Sequence, residues 1–309
     1  MLGRVASYNQ STVLLAEYQR IQSRTAQAQE QISSGKVGTT YADVEGKAGV
    51  LAAAKAHVLE TEAYAAAARE VEARMSFQDV QLVQMGALAA EFREALGNAV
   101  ASNRAEGLME TARGLYAQAA TILNTRVDGV YIYGGTRSDT PPVNAATLDE
   151  LLAAPIVADV FDNSTLAPTQ SVDAQVTLES GVLASDVATG FFQMLRDLAV
   201  FDTGANGPFT QNLTQSQAAF LNGQFTAASA VARDLDTQAA EQGVRIQLLQ
   251  DVIARHDDRQ VELNKFVSSI EDVDVAEAIT RLNHDQAAQQ AAARMIAQLQ
   301  EFTLLNVLN

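Results

Sequence analysis

Two long stretches of the chain carry apolar residues at alternating steps of four and three. Twelve of fifteen such positions are apolar between Val50 and Ala99, and the stretch from Leu221 to Ile270 gives the same count. A repeat of 3.5 residues is typical of helices that pack as left-handed coiled coils. The pattern therefore predicts two long helices. Because they are equal in length and flank a segment of different composition, we expect them to lie antiparallel against each other.

A shorter apolar pattern from Leu108 to Ile122 predicts a third helix, which follows a turn at Ser102-Asn103. Another amphipathic stretch near the start of the chain ends at Ser33-Ser34-Gly35, which reads as a helix stop. The last stretch, near the end of the chain, is one residue out of phase with the second long stretch. Asp274 and Glu277 have the spacing of a capping box at this phase shift, so a separate helix should begin there.

The segment from Asp139 to Pro208 differs from the rest in composition. It contains all five prolines, and it carries ten acidic residues against one arginine in a chain of net charge -16. Proline breaks helix interiors, so the flanking tracts are the ones suited to long helices. Pro155 to Phe161 and Ser171 to Leu178 favour strands, and a helix is expected around Phe191 to Leu195. We interpret the segment as a small acidic α/β insertion.

The sequence thus predicts a mainly α protein. A long antiparallel coiled-coil-like rod would carry N- and C-terminal packing helices and a small α/β insertion domain. The predicted segments are an N-terminal packing helix at 1–40, the first part of the rod at 41–138, the insertion at 139–208, the second part of the rod at 209–270 and a C-terminal packing helix at 271–309.

Composition narrows the function classes. The chain has no cysteine, which excludes a disulfide scaffold, a thiolate zinc site and a thiol nucleophile. Its acidic balance argues against nucleic acid and against an anionic membrane surface as partners, because both require clustered lysine and arginine. The apolar runs are far shorter than the roughly 18 residues of a membrane span. Alanine and glutamine make up 82 of the 309 residues, which suits thin helical seams.

No pattern for catalysis, cofactor binding or metal binding is present. His57, His256 and His284 lack ligand spacing, so ordinary packing or partial exposure is expected for them. Asp272 and Asp274 lack the glycine and later glutamate of a calcium loop. We therefore expect no cofactor and no enzymatic activity.

Three glutamines, Gln78, Gln242 and Gln260, occupy positions on the two long seams. Polar seam residues either set the helix register or lie at a wet edge, and the sequence leaves both readings open.

Several motifs resemble the bacterial flagellin superfamily. Gln31-Ile-Ser-Ser-Gly-Lys36 is similar to the start of flagellins, and the run from Ser269 to Asn283 resembles their C-terminal signature. The tail Leu304-Leu-Asn-Val-Leu308 is similar as well. Within the superfamily, Gly129 to Val143 resembles the hook-associated proteins of the hook-filament junction.

The resemblance implies a structural subunit of the extracellular flagellum that leaves through the flagellar type III system without a cleaved signal peptide. Its expected partners are copies of itself in a ring or tubular polymer, a neighbouring hook-associated protein, flagellin, and an export chaperone that binds the C-terminal helix. Two alternatives stay open, namely a flagellin that forms the filament itself and a non-flagellar soluble coiled-coil signalling protein.

The apolar residues of the two terminal helices are the predicted assembly interface. They are Leu14, Tyr18, Ile21, Ala28, Ile32, Val275, Ile279, Leu282, Ala293, Ile296, Leu299, Leu304, Leu305 and Leu308.

Overall fold

The computed structural model describes the backbone of residues 2–44 and 46–308, and the side chains of residues 12–40, 42–44 and 46–298. Within these residues the chain is mainly α, as the sequence predicts, with seven α-helices and two small antiparallel sheets. The helices are α1 Leu2–Ser34, α2 Ala48–Ser102, α3 Leu108–Leu123, α4 Leu148–Ala153, α5 Ala184–Thr203, α6 Gln215–Glu271 and α7 Val275–Leu308. The strands are β1 Arg126–Val127, β2 Val130–Tyr131, β3 Thr169–Asp173 and β4 Val176–Glu179.

The chain forms two compact units. One combines Met1–Thr61 with Arg259–Asn309, and the other is Glu62–Asp258. The first unit contains α1 and α7, and the second contains the middle of the chain with both sheets. The predicted insertion at 139–208 lies entirely within the second unit.

The long helices α2 and α6 contain the two predicted seams, although the α6 seam residue Phe225 is 40% exposed. Every seam position of α2 from Ala68 to Ala99 is buried, whereas Val50 and His57 at its beginning are exposed.

In the second unit α2 and α6 run antiparallel, as two hydrogen bonds show. Gln250 Nε2 donates to Glu72 Oε1 over 2.9 Å, and Gln242 Nε2 donates to the Met75 carbonyl over 3.3 Å. The α2 partners move forward along the sequence, from Glu72 to Met75, while the α6 partners move backward, from Gln250 to Gln242.

Two of the three seam glutamines lie in the core. Gln78 and Gln242 are 0% and 1% exposed, and Gln260 is half-buried. Gln78 Nε2 donates to the carbonyl of Ile132 over 2.8 Å, and the Tyr133 hydroxyl donates to the Gln78 carbonyl over 3.3 Å. Burial raises the pKa of the Tyr133 phenol above its usual range, so this hydroxyl stays a donor. Gln78 therefore ties α2 to the segment that follows β2.

Helix α3 begins after the predicted turn. α2 ends at Ser102, and Asn103 adopts a left-handed φ of 55° that lets the chain reverse. α3 then buries Leu108, Ala112 and Leu115 on one face, as the apolar spacing predicts.

Aromatic side chains from distant parts of the sequence fill the core of the second unit. The rings of Phe92 and Phe191 meet edge to face at 6.3 Å, and the ring of Tyr116 lies 4.7 Å from that of Phe192. The Tyr116 hydroxyl donates to the carbonyl of Ala145 over 2.9 Å. Side chains from residues 143–199 thus share one hydrophobic core with α2 and α3. The division of the chain into five segments stays a prediction.

The two stretches predicted to favour strands have different outcomes. Ser171 to Leu178 lies within the β3–β4 hairpin, where Gln170 pairs with Leu178. The prediction for Pro155 to Phe161 is wrong, because Val157–Val160 forms a 3-10 turn. The three-residue spacing of Val157 and Val160 places both side chains in the core in a 3-10 turn, whereas alternate strand positions would separate them.

The β3–β4 hairpin packs on α2 and α6. Val172 is 0% exposed and joins Met75 and Leu249 in a small apolar cluster. His256 is 4% exposed, and its Nε2 lies 2.8 Å from the carbonyl oxygen of Val172. The histidine on the second seam is therefore a packed residue that anchors the hairpin.

Gly134 and Gly135 form a tight turn. Gly135 has a φ of +68°, and a Cβ on Gly134 would lie 2.2 Å from the carbonyl oxygen of Arg137. Only glycine fits such a close backbone approach.

Candidate assembly surface on the terminal helices

Helices α1 and α7 pack against each other in antiparallel fashion. Arg24 Nη2 contacts Asp285 Oδ1 at 2.7 Å, and Arg281 Nη2 donates to Gln31 Oε1 over 3.3 Å. Asp285 is only 7% exposed, so its charge is neutralised inside the helix pair by Arg24. The two terminal helices thus pair within one chain.

The end of α1 is tied to the junction of α6 and α7. Gly35 takes a left-handed φ of 71° directly after α1, which confirms the predicted helix stop. The amide of Val37 donates to the Glu271 carbonyl over 2.8 Å, and the amide of Val273 donates to the Gly35 carbonyl over 3.0 Å. Asp274 Oδ1 then accepts from the amide of Glu277 over 3.1 Å, so α7 starts at the predicted cap.

Glu271 bridges two lysines beside this junction. Its carboxylate lies 2.8 Å from Lys36 Nζ and 2.8 Å from Lys55 Nζ. We call these three side chains the Glu271 clasp. The hydrogen bond from Lys36, then that from Lys55, lower the pKa of Glu271, and the same contact raises the pKa of Lys36. The clasp joins residues from the ends of α1 and α6 to the first part of α2.

The predicted interface residues of α1 lie on or beside the contact with α7. Ile21 and Ala28 are each 5% exposed, while Leu14, Tyr18 and Ile32 are half-buried. Their spacing therefore identified a packing face. The proposed contact of these residues with other copies stays a prediction.

The α7 residues that pack on α1 lie one position out of step with the predicted α7 interface residues, whose contact with other copies stays a prediction. Val275 and Ile279 are each 43% exposed, and Ala293 is also exposed. The buried positions are Ala278 and Ala292, with Asp285 midway between them, because small side chains let the two helices approach closely. Two other predicted residues, Leu282 and Ile296, are half-buried. The side chains of Leu299, Leu304, Leu305 and Leu308 lie outside the described residues.

Sequence reasoning missed the small buried residues because it followed the largest apolar side chains. Ala278, Asp285 and Ala292 recur every seven residues, and this spacing was the available signal. The spacing alone does not explain a buried aspartate, because its partner Arg24 is distant in the sequence.

The terminal helices keep several large apolar side chains exposed. Val13 and Leu15 on α1 are 68% and 51% exposed, and Val275, Ile279 and Met295 on α7 exceed 40%. We call these five residues the outer apolar residues. Side chains of this size are available to contact another molecule without any disturbance of the α1–α7 contact.

The described side chains include no group of three histidine, cysteine, aspartate or glutamate residues placed to hold a metal ion. His57 is exposed beside Glu60, and His284 is exposed beside Asp285. None of the described helices is both long enough and apolar enough to cross a membrane.

Comparison with known proteins supplies the decisive observations. Residues 226–308 match the bacterial flagellin C-terminal helical region. The structure of a putative flagellar hook-associated protein from Vibrio parahaemolyticus superposes with a TM-score of 0.60 at 14% identity, covering 74% of this chain and 100% of that one. The chain has the fold of the flagellin-like hook-associated proteins.

A second solved structure, that of Bacillus cereus FlgL, agrees with this assignment. It has a TM-score of 0.53 at 11% identity and covers 71% of this chain and 98% of that one. No curated protein sequence matches the chain. The similarity to solved structures therefore lies in the fold, and the sequence match lies in the C-terminal region.

Proposed function

We propose that this protein is a structural subunit of the bacterial flagellum that acts as an adaptor at the hook-filament junction. The observation that carries the proposal is the superposition on the whole length of the Vibrio hook-associated protein. The flagellin C-terminal region in α6 and α7 supports a flagellar role independently, because it is a match in sequence.

The adaptor would act through contacts between folded surfaces and not through chemistry. The outer apolar residues of α1 and α7 supply side chains for such contacts, because they stay exposed while the pair is held by the Arg24–Asp285 contact. The partners are further copies of the chain, a neighbouring hook-associated protein and flagellin. We place the subunit outside the cell, after export through the flagellar type III system with a chaperone on the C-terminal helix.

Deletion of the gene tests this function. The cells should then carry hooks without filaments, and flagellin monomers should accumulate in the medium because they have no base to polymerise on. Re-expression of the full chain should restore filaments.

A different outcome selects the other candidate. The flagellin match at residues 226–308 is also expected of a filament subunit. Loss or shortening of the filament without release of another flagellin would therefore indicate that this chain forms the filament. Unchanged flagella would contradict both functions.

A further inference from the structure

The antiparallel register of α2 and α6 in the second unit fixes which residues of the two helices lie at the same position along the helix axis. We say that such residues are at the same level. Glu72 contacts Gln250, and Gly86 lies against Asp236, so these two contacts, four turns apart, share one offset, while the long Gln242 side chain reaches back to the Met75 carbonyl. This register places Val80 level with residue 242 and Glu91 level with residue 231.

Each of the two helices exposes an apolar stripe on the side opposite its buried face. The α2 stripe consists of Ala73, Phe77, Val80 and Ala87, and the α6 stripe consists of Ala240, Val244 and Leu248. Phe77 and Val80 are 44% and 58% exposed, and Val244 and Leu248 are 70% and 44% exposed. Both stripes repeat at helical spacing, and the register places them at the same level. An exposed apolar patch at regular spacing marks a contact surface.

The charges at the ends of the stripes are complementary. On the helix face that carries the α2 stripe, Arg69 comes before the apolar residues and Glu91 comes after them. On the phase of the α6 stripe, Arg233 precedes and Asp251 follows. Antiparallel contact at one level therefore brings Arg69 to Asp251 and Glu91 to Arg233. Arg69 pairs with Asp257 of its own chain, and an exposed ion pair of this kind contributes little to stability and exchanges partners easily.

We propose that the α2 stripe of one copy docks on the α6 stripe of a second copy. The inference rests on the proposed function, because an assembled subunit needs a lateral contact. Two different surfaces meet in this contact, so each copy keeps one stripe free for the next. Such a head-to-tail contact produces a closed ring or an open helical array, whereas a stripe that paired with itself would stop at a dimer.

The absence of cysteine from the chain makes the contact directly testable by cross-linking. The full-length variants Val80→Cys and Val244→Cys are mixed in equal amounts, oxidised mildly over a series of protein concentrations and separated on non-reducing gels. The mixture should form disulfide dimers, and each variant alone should not. Val200→Cys on α5 is the matched control, since Val200 is 46% exposed and lies on neither stripe.

Two results would overturn the proposal. Dimers from Val80→Cys alone, as abundant as those from the mixture, would show that the α2 stripe pairs with itself. A mixture that cross-links no better than Val80→Cys with Val200→Cys would show that the stripes do not meet.

Charge reversal gives an independent readout of the same contact. Glu91→Arg and Arg233→Glu should each lower the mass measured by sedimentation at a given concentration, because like charges then face each other at one end of the contact. An equimolar mixture of the two variants should restore the mass, since every contact between unlike copies again joins opposite charges. An effect inside one chain would not be restored by mixing.

Failure here is distinct from failure of the proposed function. If deletion removes filaments but the cysteines do not cross-link, the stripes are not the lateral contact and the function stands. If the cysteines cross-link as expected but deletion leaves flagella intact, the contact is real and the proposed function is wrong.

Discussion

Asp285 places a buried charge in the contact between α1 and α7. It is 7% exposed, and Arg24 supplies the opposite charge at 2.7 Å. Removing one partner of a buried hydrogen-bonded charge costs more than the pair contributes, because the remaining charge is left desolvated. Arg20 provides a natural comparison, since it contacts Glu17 at the same distance of 2.7 Å on the exposed surface of α1.

Arg24→Gln should therefore weaken the helix pair by about 1–3 kcal/mol. Arg20→Gln, the matched control, should change it by less than about 0.5 kcal/mol, as exposed pairs do. Hydrogen exchange of the α7 amides in the full chain measures the local opening free energy for both variants. Equal protection in the two variants would show that Asp285 does not depend on Arg24.

Glu271 gives the junction between the end of α1 and the end of α6 a dependence on pH. Its folded-state pKa is lowered from the ordinary 4.5, so its contribution is complete above that pH and is lost as the pH falls through the folded value. Protection of the junction amides of Val37 and Val273 should accordingly fall in acid. Glu271→Gln should reduce protection at neutral pH and flatten this acid dependence, whereas Glu262→Gln, an exposed glutamate on the same helix, should leave the profile unchanged. An unaltered acid profile in Glu271→Gln would contradict the role of the clasp.

At the level of whole helices, the sequence predicts α2 and α6 well because both bury large side chains at a steady 3.5-residue repeat. Phe92 is 0% exposed on the seam, and Phe77 on the same helix is 44% exposed. Phenylalanine thus occurs on opposite faces of α2, and only the phase of the repeat predicts which of the two rings is buried.

Phe92→Ala should destabilise the second unit by about 3–5 kcal/mol, since it leaves a cavity in the aromatic core. Phe77→Ala should cost less than about 1 kcal/mol, because its ring remains in contact with water. Urea denaturation followed by circular dichroism compares the two. Comparable losses of stability would mean that the phase assigned to α2 is wrong.

The phase of α7 was harder to predict for a physical reason. Its contact with α1 uses alanines, so the largest apolar residues lie beside the contact. The spacing of leucine and isoleucine therefore does not identify the packing face. Two adjacent alanines distinguish the two possible packing phases of α7, since Ala292 is 5% exposed and Ala293 is exposed.

Ala292→Asp should disrupt the α1–α7 pair, because an unpaired carboxylate would be buried against α1. Ala293→Asp should leave the pair intact. Protection of the α7 amides from hydrogen exchange distinguishes the two variants, and stronger disruption by Ala293→Asp would mean that the packing phase assigned to α7 is wrong.

At the scale of the whole molecule, patterns within single elements could be predicted, whereas contacts between distant segments could not. The Arg24–Asp285 pair and the Lys55–Glu271 contact join residues more than 200 positions apart, and neither has a local signal. The same holds for the core that residues 143–199 share with α2 and α3, since the insertion looked separate by composition alone. The acidic charge and the prolines of that segment describe its surface and turns, while its apolar residues pack on the helices.

The position of the protein on isolated flagella tests the proposed adaptor role most directly. Flagella are purified from the native cells, labelled with gold-coupled antibodies against the full chain and viewed by electron microscopy. Label confined to one band between the hook and the filament is the expected result. Label along the whole filament would identify a flagellin, and flagella without label would contradict a flagellar role altogether.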